Sequence, residues 1–115
     1  MARQEILNAV TSYFHIGYAD GNLKPFIERH KYSLEDILDA KLMIEYDGKY
    51  IDFFRNRIML PITMFGNTLY MSGRDITNKA ERKYLNLAMP NSVFINEELL
   101  SKKPKYVILT EGFMD

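Results

Sequence analysis

The period of the apolar positions changes once along the chain. Over residues 4–15, Ile6, Leu7, Val10, Tyr13 and Phe14 recur at helical spacing, and Gly17 just beyond them reads as a stop. Asp20-Gly21-Asn22 marks a turn. A short helix over 23–30 is expected to point Phe26 and Ile27 inward. Ser33 and Asp36 have the spacing of a capping box, although Glu or Gln is the preferred partner. They open a third helix over about 34–42, with Leu34, Ile37, Leu38 and Leu42 on one face.

Beyond residue 42, short apolar runs bounded by turn residues take over. Asp47-Gly48 between Met43-Ile44 and Tyr50-Ile51 predicts a hairpin. Arg57–Met64 reads as a buried strand in which Pro61 demands an edge position or a bulge. Gly66-Asn67 turns the chain into a second strand, Thr68–Ser72. Residues 75–83 are polar and loop-like, Met89-Pro90-Asn91 breaks the chain, and Asn96–Leu100 predicts a helical turn. Tyr106–Thr110 is a continuous apolar run, the pattern of a strand buried on both faces. Helices come first and strands follow. The expected class is α+β, with N-terminal helices ahead of a small mixed or antiparallel sheet.

Composition narrows the class. A chain of 115 residues is one domain by length, and 47% hydrophobic with 13% aromatic content argues against disorder. Without cysteine there can be no disulfide and no cysteine-ligated zinc or iron–sulfur site, which suits a reducing, cytoplasmic setting. His15 and His30 lack metal-ligand spacing. Met1–Val10 carries Arg3, Gln4, Glu5 and Asn8, so it has no apolar core of a signal peptide, and no apolar run is long enough to span a bilayer.

Net charge is zero, but its distribution is uneven. Residues 1–50 carry a net −2, residues 51–90 a net +3 and residues 91–115 a net −1. The basic third contains Arg55, Arg57, Arg74, Lys79, Arg82 and Lys83. Such a patch is either a solvated face or a phosphate-binding one.

The candidate chemistry sits at the end of the last apolar run. Ligands of open α/β sheets gather at the carboxyl ends of strands, and Glu111-Gly112-Phe113-Met114-Asp115 follows Thr110 directly. Glu111 and Asp115, four residues apart, could share one side of a helix and offer hard oxygen ligands to Mg²⁺ or Mn²⁺. The competing reading is a pair of surface acids.

Five separated motifs bear on that choice: Ile16-Gly17-Tyr18-Ala19; Phe54-Arg55-Asn56-Arg57-Ile58-Met59-Leu60-Pro61-Ile62; Ser72-Gly73-Arg74; Lys83-Tyr84-Leu85-Asn86; and Glu111-Gly112-Phe113-Met114-Asp115. In this order they resemble the bacterial DnaG-type DNA primases, whose patterns run close to GYAP, FRxRIxFPI, GGR, KYLNS and EGxxD. The likeness spans the chain from about residue 12, and FRNRIMLPI is its most specific element. It implies the N-terminal part of an RNA-polymerising core over residues 1–105. Residues 106–115 would then be the first strand and acidic motif of a Toprim-like sheet.

The resemblance also implies roles. Glu111 would be the catalytic acid that opens the metal site, and Asp115 its companion, binding Mg²⁺ or Mn²⁺ in the complete enzyme with further acids that lie downstream in the family. Arg55, Arg57, Arg74 and Lys83, with Asn86 as a polar neighbour, would line a groove for nucleic acid and nucleotide. The implied partners are a single-stranded DNA template, nucleoside triphosphates and primer RNA. A replicative helicase would be contacted through regions outside this sequence, and there is no membrane partner. With most of the metal site outside it, the chain alone is expected to be inactive. A stand-alone nucleic-acid-binding or interaction module without catalysis is the alternative.

The sequence departs from the family at Phe94–Leu100. Asn96 stands there where a lysine is expected and Glu97 where a glycine is, and Ser72 replaces one glycine of GGR. The family's zinc-binding module is not in this sequence.

Overall fold

The computed structural model describes residues 2–90 and 93–112. Three helices lead: α1 (Arg3–Phe14), α2 (Leu23–His30) and α3 (Leu34–Asp39). The Glu5 carboxylate reaches back to accept from the Ala2 N–H (3.0 Å) at the start of α1. The Ser33 hydroxyl accepts from the Asp36 N–H (3.1 Å) at the start of α3, the side-chain half of the expected capping box.

All three helices end alike. His15, Lys31 and Lys41 take left-handed backbone angles (φ 54°, 57° and 63°). Around each, two N–H groups fold back on the last turn. Ile16 donates to the Thr11 carbonyl and His15 to that of Ser12; Tyr32 donates to Ile27 and Lys31 to Glu28; Leu42 donates to Ile37 and Lys41 to Leu38. This is the Schellman closure, usually built on glycine. Gly17 is therefore not the stop of α1. It begins a strand, β1 (Gly17–Ala19), and α3 ends three residues short of the expected Leu42.

The hairpin of β2 (Met43–Tyr46) and β3 (Lys49–Asp52) turns through Asp47 and Gly48, both at positive φ, as expected for this dipeptide. The main sheet adds β4 (Arg57–Met64), β5 (Asn67–Asp75) and β6 (Tyr84–Asn86) in the order β1-β4-β5-β6, every pair antiparallel. The β4–β5 turn uses Phe65 and Gly66 (φ 50° and 85°), one residue earlier than the sequence suggests. Pro61 is tolerated in an inner strand because β1 pairs only with Arg57–Met59, leaving that side of Pro61 unpaired; the register also slips between Ile62 and Thr63.

Buried residues occur on both faces of this sheet: Met59 pairs with Gly73 on one, and Ile62 with Tyr70 on the other. Phe54, Met59, Ile62, Tyr70 and Leu87 are buried together, flanked by Leu42, Leu85 and Ile95. Gly73 is part of that packing: a Cβ there would meet Arg57 Cδ, Met59 Sδ and Phe54 Cδ1, each at 3.0 Å. A 3₁₀ helix, Glu97–Lys102, stands where a helical turn is expected.

Two expectations fail. Phe26 does not point into the core with Ile27; it is 46% exposed. Tyr106–Thr110 forms no strand, and Ile108 and Leu109 are 90% and 88% exposed. A strand exists only by pairing, and among the described residues no strand pairs with the segment. The apolar face of α1 is also open, with Ile6, Leu7, Val10 and Tyr13 each about half exposed.

Candidate nucleic-acid interface

The basic third of the chain is organised around Arg57, which is only 7% exposed. A buried guanidinium must be matched by acceptors. Here three backbone carbonyls serve: Nη1 donates to Gly73 O (3.1 Å) and Lys83 O (3.2 Å), and Nη2 to Arg82 O (2.9 Å). The two ends of the 75–83 loop are thus tied to one side chain, and the Asp75 N–H closes the loop on Lys83 O (2.8 Å).

Asp75 organises the loop from inside. Its carboxylate accepts the Thr77 hydroxyl (2.8 Å), and that hydroxyl accepts the Lys79 N–H (3.1 Å). Burial alone would raise the Asp75 pKa. The Thr77 hydroxyl and the backbone N–H groups of Thr77, Ala80 and Asn78 outweigh it and hold the carboxyl below the usual carboxylate range.

Between this loop and the start of β4 opens a cleft of about 390 Å³. Arg55, Arg57, Asp75, Thr77 and Lys79 are among its walls. Arg55 and Lys79 are exposed, so they are the cations it offers to solvent. The Arg55 stem lies on Gly21 (φ +81°), where a Cβ would come within 3.2 Å of Arg55 Cγ. Asn56, also left-handed, holds the approach to β4: its side chain accepts the Tyr18 hydroxyl (3.2 Å) and its carbonyl the Ile76 N–H (3.4 Å). Nearby, Asp52 accepts the Leu23 N–H (3.0 Å). Burial, with the Asp20 charge added, nevertheless pushes its pKa up against that bond and Arg55.

Register separates the remaining candidates from this cleft. Arg57 is paired with Asp75, and Ile58 with Arg74, so Arg57 and Arg74 project from opposite faces of the sheet. Arg74 donates to the Tyr84 hydroxyl (2.7 Å) and lies over that ring at 5.1 Å. On the same face the Asn86 side chain accepts from the Ser72 hydroxyl (2.8 Å), and Ser72 is fully buried. The Lys83 side chain is exposed while its carbonyl serves Arg57. Asp75 and Thr77 escaped the sequence reading. Their signal was local: Asp-Ile-Thr-Asn is a run of side chains that bond their own backbone.

Glu111 is exposed in a bend, and Asp115 lies outside the described residues. Among the described residues no group of three or more His, Cys, Asp or Glu could hold a metal ion. Glu111 alone would leave most of a divalent ion's oxygen positions to water, phosphate or further acids. Among the described residues, too, no helix is long and apolar enough to cross a membrane.

An α+β domain whose antiparallel sheet carries a buried arginine and a basic loop at its edge is the class that the structure defines. Comparison with known proteins makes it specific. The family described as DNA primase catalytic core, N-terminal domain, matches residues 1–105. A DNA primase of Staphylococcus epidermidis is 36% identical over 87% of this chain and 19% of its own length. One of Legionella pneumophila is 30% identical over 92% of this chain and 20% of its own length. A solved DnaG primase catalytic domain bound to ssDNA superposes with a TM-score of 0.72 at 26% identity, covering 92% of this chain and 38% of that one. The chain belongs to the DnaG-type primase catalytic-core family, in its N-terminal domain. It spans about a fifth of the length of the primases that it matches.

Proposed function

We propose that this domain is the template-handling part of a DNA primase, the enzyme that lays short RNA primers on single-stranded DNA during replication. The observation that carries the reading is the Arg57–Asp75 arrangement. It fixes a basic loop beside Arg55 in a domain of this family. Arg55 and Lys79 take backbone phosphates, Arg57 positions the loop, and Lys83 extends the basic rim. Arg74 and Asn86 act from the other face, toward nucleotide or a neighbouring part of the enzyme.

In the same reading residues 106–115 belong to a following Toprim-like unit, where Glu111 and Asp115 join further acids around Mg²⁺ or Mn²⁺. That ion would supply charge neutralisation and activation of the attacking hydroxyl. Nucleoside triphosphates, primer RNA and a helicase complete the partners, and the setting is the cytoplasm.

Titrating labelled oligo(dT) by fluorescence anisotropy at several salt concentrations tests the template role. Single-strand binding should weaken with salt, and Arg55→Ala or Lys79→Ala should each lower the log–log slope by about 0.7, one phosphate contact. Slopes equal to that of the parent would remove the cleft from template binding.

A further inference from the structure

Phe26 is the residue that the core left out, and it is not alone. Its ring lies 4.3 Å from that of His30, one helical turn on, and Tyr32 stacks beside both. The Tyr32 ring is inclined by 26° to each, with centroids 6.3 Å from Phe26 and 6.1 Å from His30. Phe26 and Tyr32 remain 46% and 55% exposed. Exposed aromatic surface of this extent has an unspent capacity for contact.

The neighbours say what kind of contact. Arg29 lies one turn from Phe26, and Lys31 sits between His30 and Tyr32. Neither is engaged in an ion pair among the described residues. Residues 23–32 hold three Lys/Arg and one Asp/Glu, inside an N-terminal half whose net charge is −2. Flat ring faces next to free cations suit a ligand with planar bases on an anionic backbone, and a purely apolar partner would leave those cations unmatched.

The position completes the case. The start of α2 is fixed to the cleft, because Leu23 N–H bonds Asp52 and Gly21 lies under Arg55. At 1.5 Å per residue the His30 end of α2 stands about 10 Å from Leu23, within reach of the next few nucleotides of a bound single strand. We propose that Phe26, His30 and Tyr32 form a base-stacking platform for single-stranded nucleic acid leaving the Arg55 cleft, with Arg29 and Lys31 on the phosphates. The platform rests on the template reading above and extends it by a separate contact.

The test uses the 115-residue chain and two fluorescent probes with equal numbers of phosphates, a 15-nucleotide oligo(dT) and its abasic counterpart. Phe26→Ala/Tyr32→Ala should bind oligo(dT) at least about fivefold more weakly and the abasic probe as tightly as the parent. Phe26→Leu/Tyr32→Leu keeps apolar bulk without ring faces and should lose as much. Arg55→Ala should weaken both probes. Unchanged oligo(dT) affinity in the ring variants would overturn the platform, and so would an equal loss on the abasic probe. If only Arg55→Ala has an effect, the platform fails and the template reading stands. If the parent binds neither probe, both fail. Ring variants that change the sedimentation of the protein and not its DNA affinity would assign the face to a second copy instead.

Discussion

The Arg57 guanidinium donates to the carbonyl of Arg82 at 2.9 Å, so one arginine is committed to holding the backbone of another. Electrostatic steering of nucleic acid depends on where cations are held, and here the holding is done by a cation that solvent barely reaches.

Arg57→Lys should therefore be far from conservative, because an ammonium cannot span three carbonyls as a planar fork does. Arg57→Ala and Arg57→Lys are both expected to lose roughly 3 kcal/mol in urea unfolding, from unmatched buried acceptors. Limited trypsin digestion should then cut faster at Lys79, Arg82 and Lys83. A lysine variant as stable and as resistant as the parent would contradict the geometry.

Two carboxylates should oppose each other in the pH dependence of stability. Asp75 titrates below its ordinary value of about 3.9, so its contribution is present above that pH and is lost as pH falls through its lower folded value. Asp52 titrates above its ordinary value, so it favours the fold when protonated, and that contribution is lost as pH rises through the raised value. Asp75→Asn should cost stability at pH 7 and little at pH 3. Asp52→Asn should be neutral or stabilising at pH 7, with no gain at pH 3. Urea titrations at the two pH values would show the crossing or its absence.

The three helix ends offer the reverse kind of change. Left-handed angles cost a side-chain-bearing residue about 1 kcal/mol relative to glycine. Lys31→Gly and Lys41→Gly should each stabilise by about that amount and raise the melting temperature by a few degrees. Calorimetry on the single and double variants would show additive gains, since the two caps share no partner.

Gly73→Ala should destabilise by about 1–3 kcal/mol, because the new methyl meets Arg57, Met59 and Phe54 at once. Its φ is not positive, so the loss would come from crowding rather than from backbone strain. Adding Met59→Ala should recover part of it; a double variant with no recovery would point to another cause.

Ending the chain after Lys105 should change the unfolding free energy by no more than about 0.5 kcal/mol, since residues 106–112 are exposed throughout. A larger loss would mean that these residues stabilise the body in solution.

Much of this was legible beforehand. The period over residues 4–15, the Asp47-Gly48 turn and the span of β4 all follow from local rules that act within a few residues. The helix ends were harder, because His15, Lys31 and Lys41 stand where glycine is the usual signal. β1 and β6, three residues each, are too short to show a period and exist because β4 and β5 present edges to them. For Arg57 and Arg74 the motifs gave residue type and spacing, but only the pairing of Arg57 with Asp75 and Ile58 with Arg74 shows that they face apart. The apolar run at Tyr106–Thr110 was read as a strand; its composition supplies a preference for pairing and cannot supply the partner.

The opposed faces of Arg57 and Arg74 make the sheet a septum. A ligand on the cleft side would not draw on Arg74, whose side chain meets Tyr84 on the other side. Arg57 grips the carbonyls of both the Gly73–Arg74 and the Lys83–Tyr84 peptides, so the backbone on either side of the Arg74–Tyr84 pair is tied to it. A displacement of the Arg57 guanidinium would thus reach the neighbours of Arg74 and of Tyr84 together, the pair that meets on the other side.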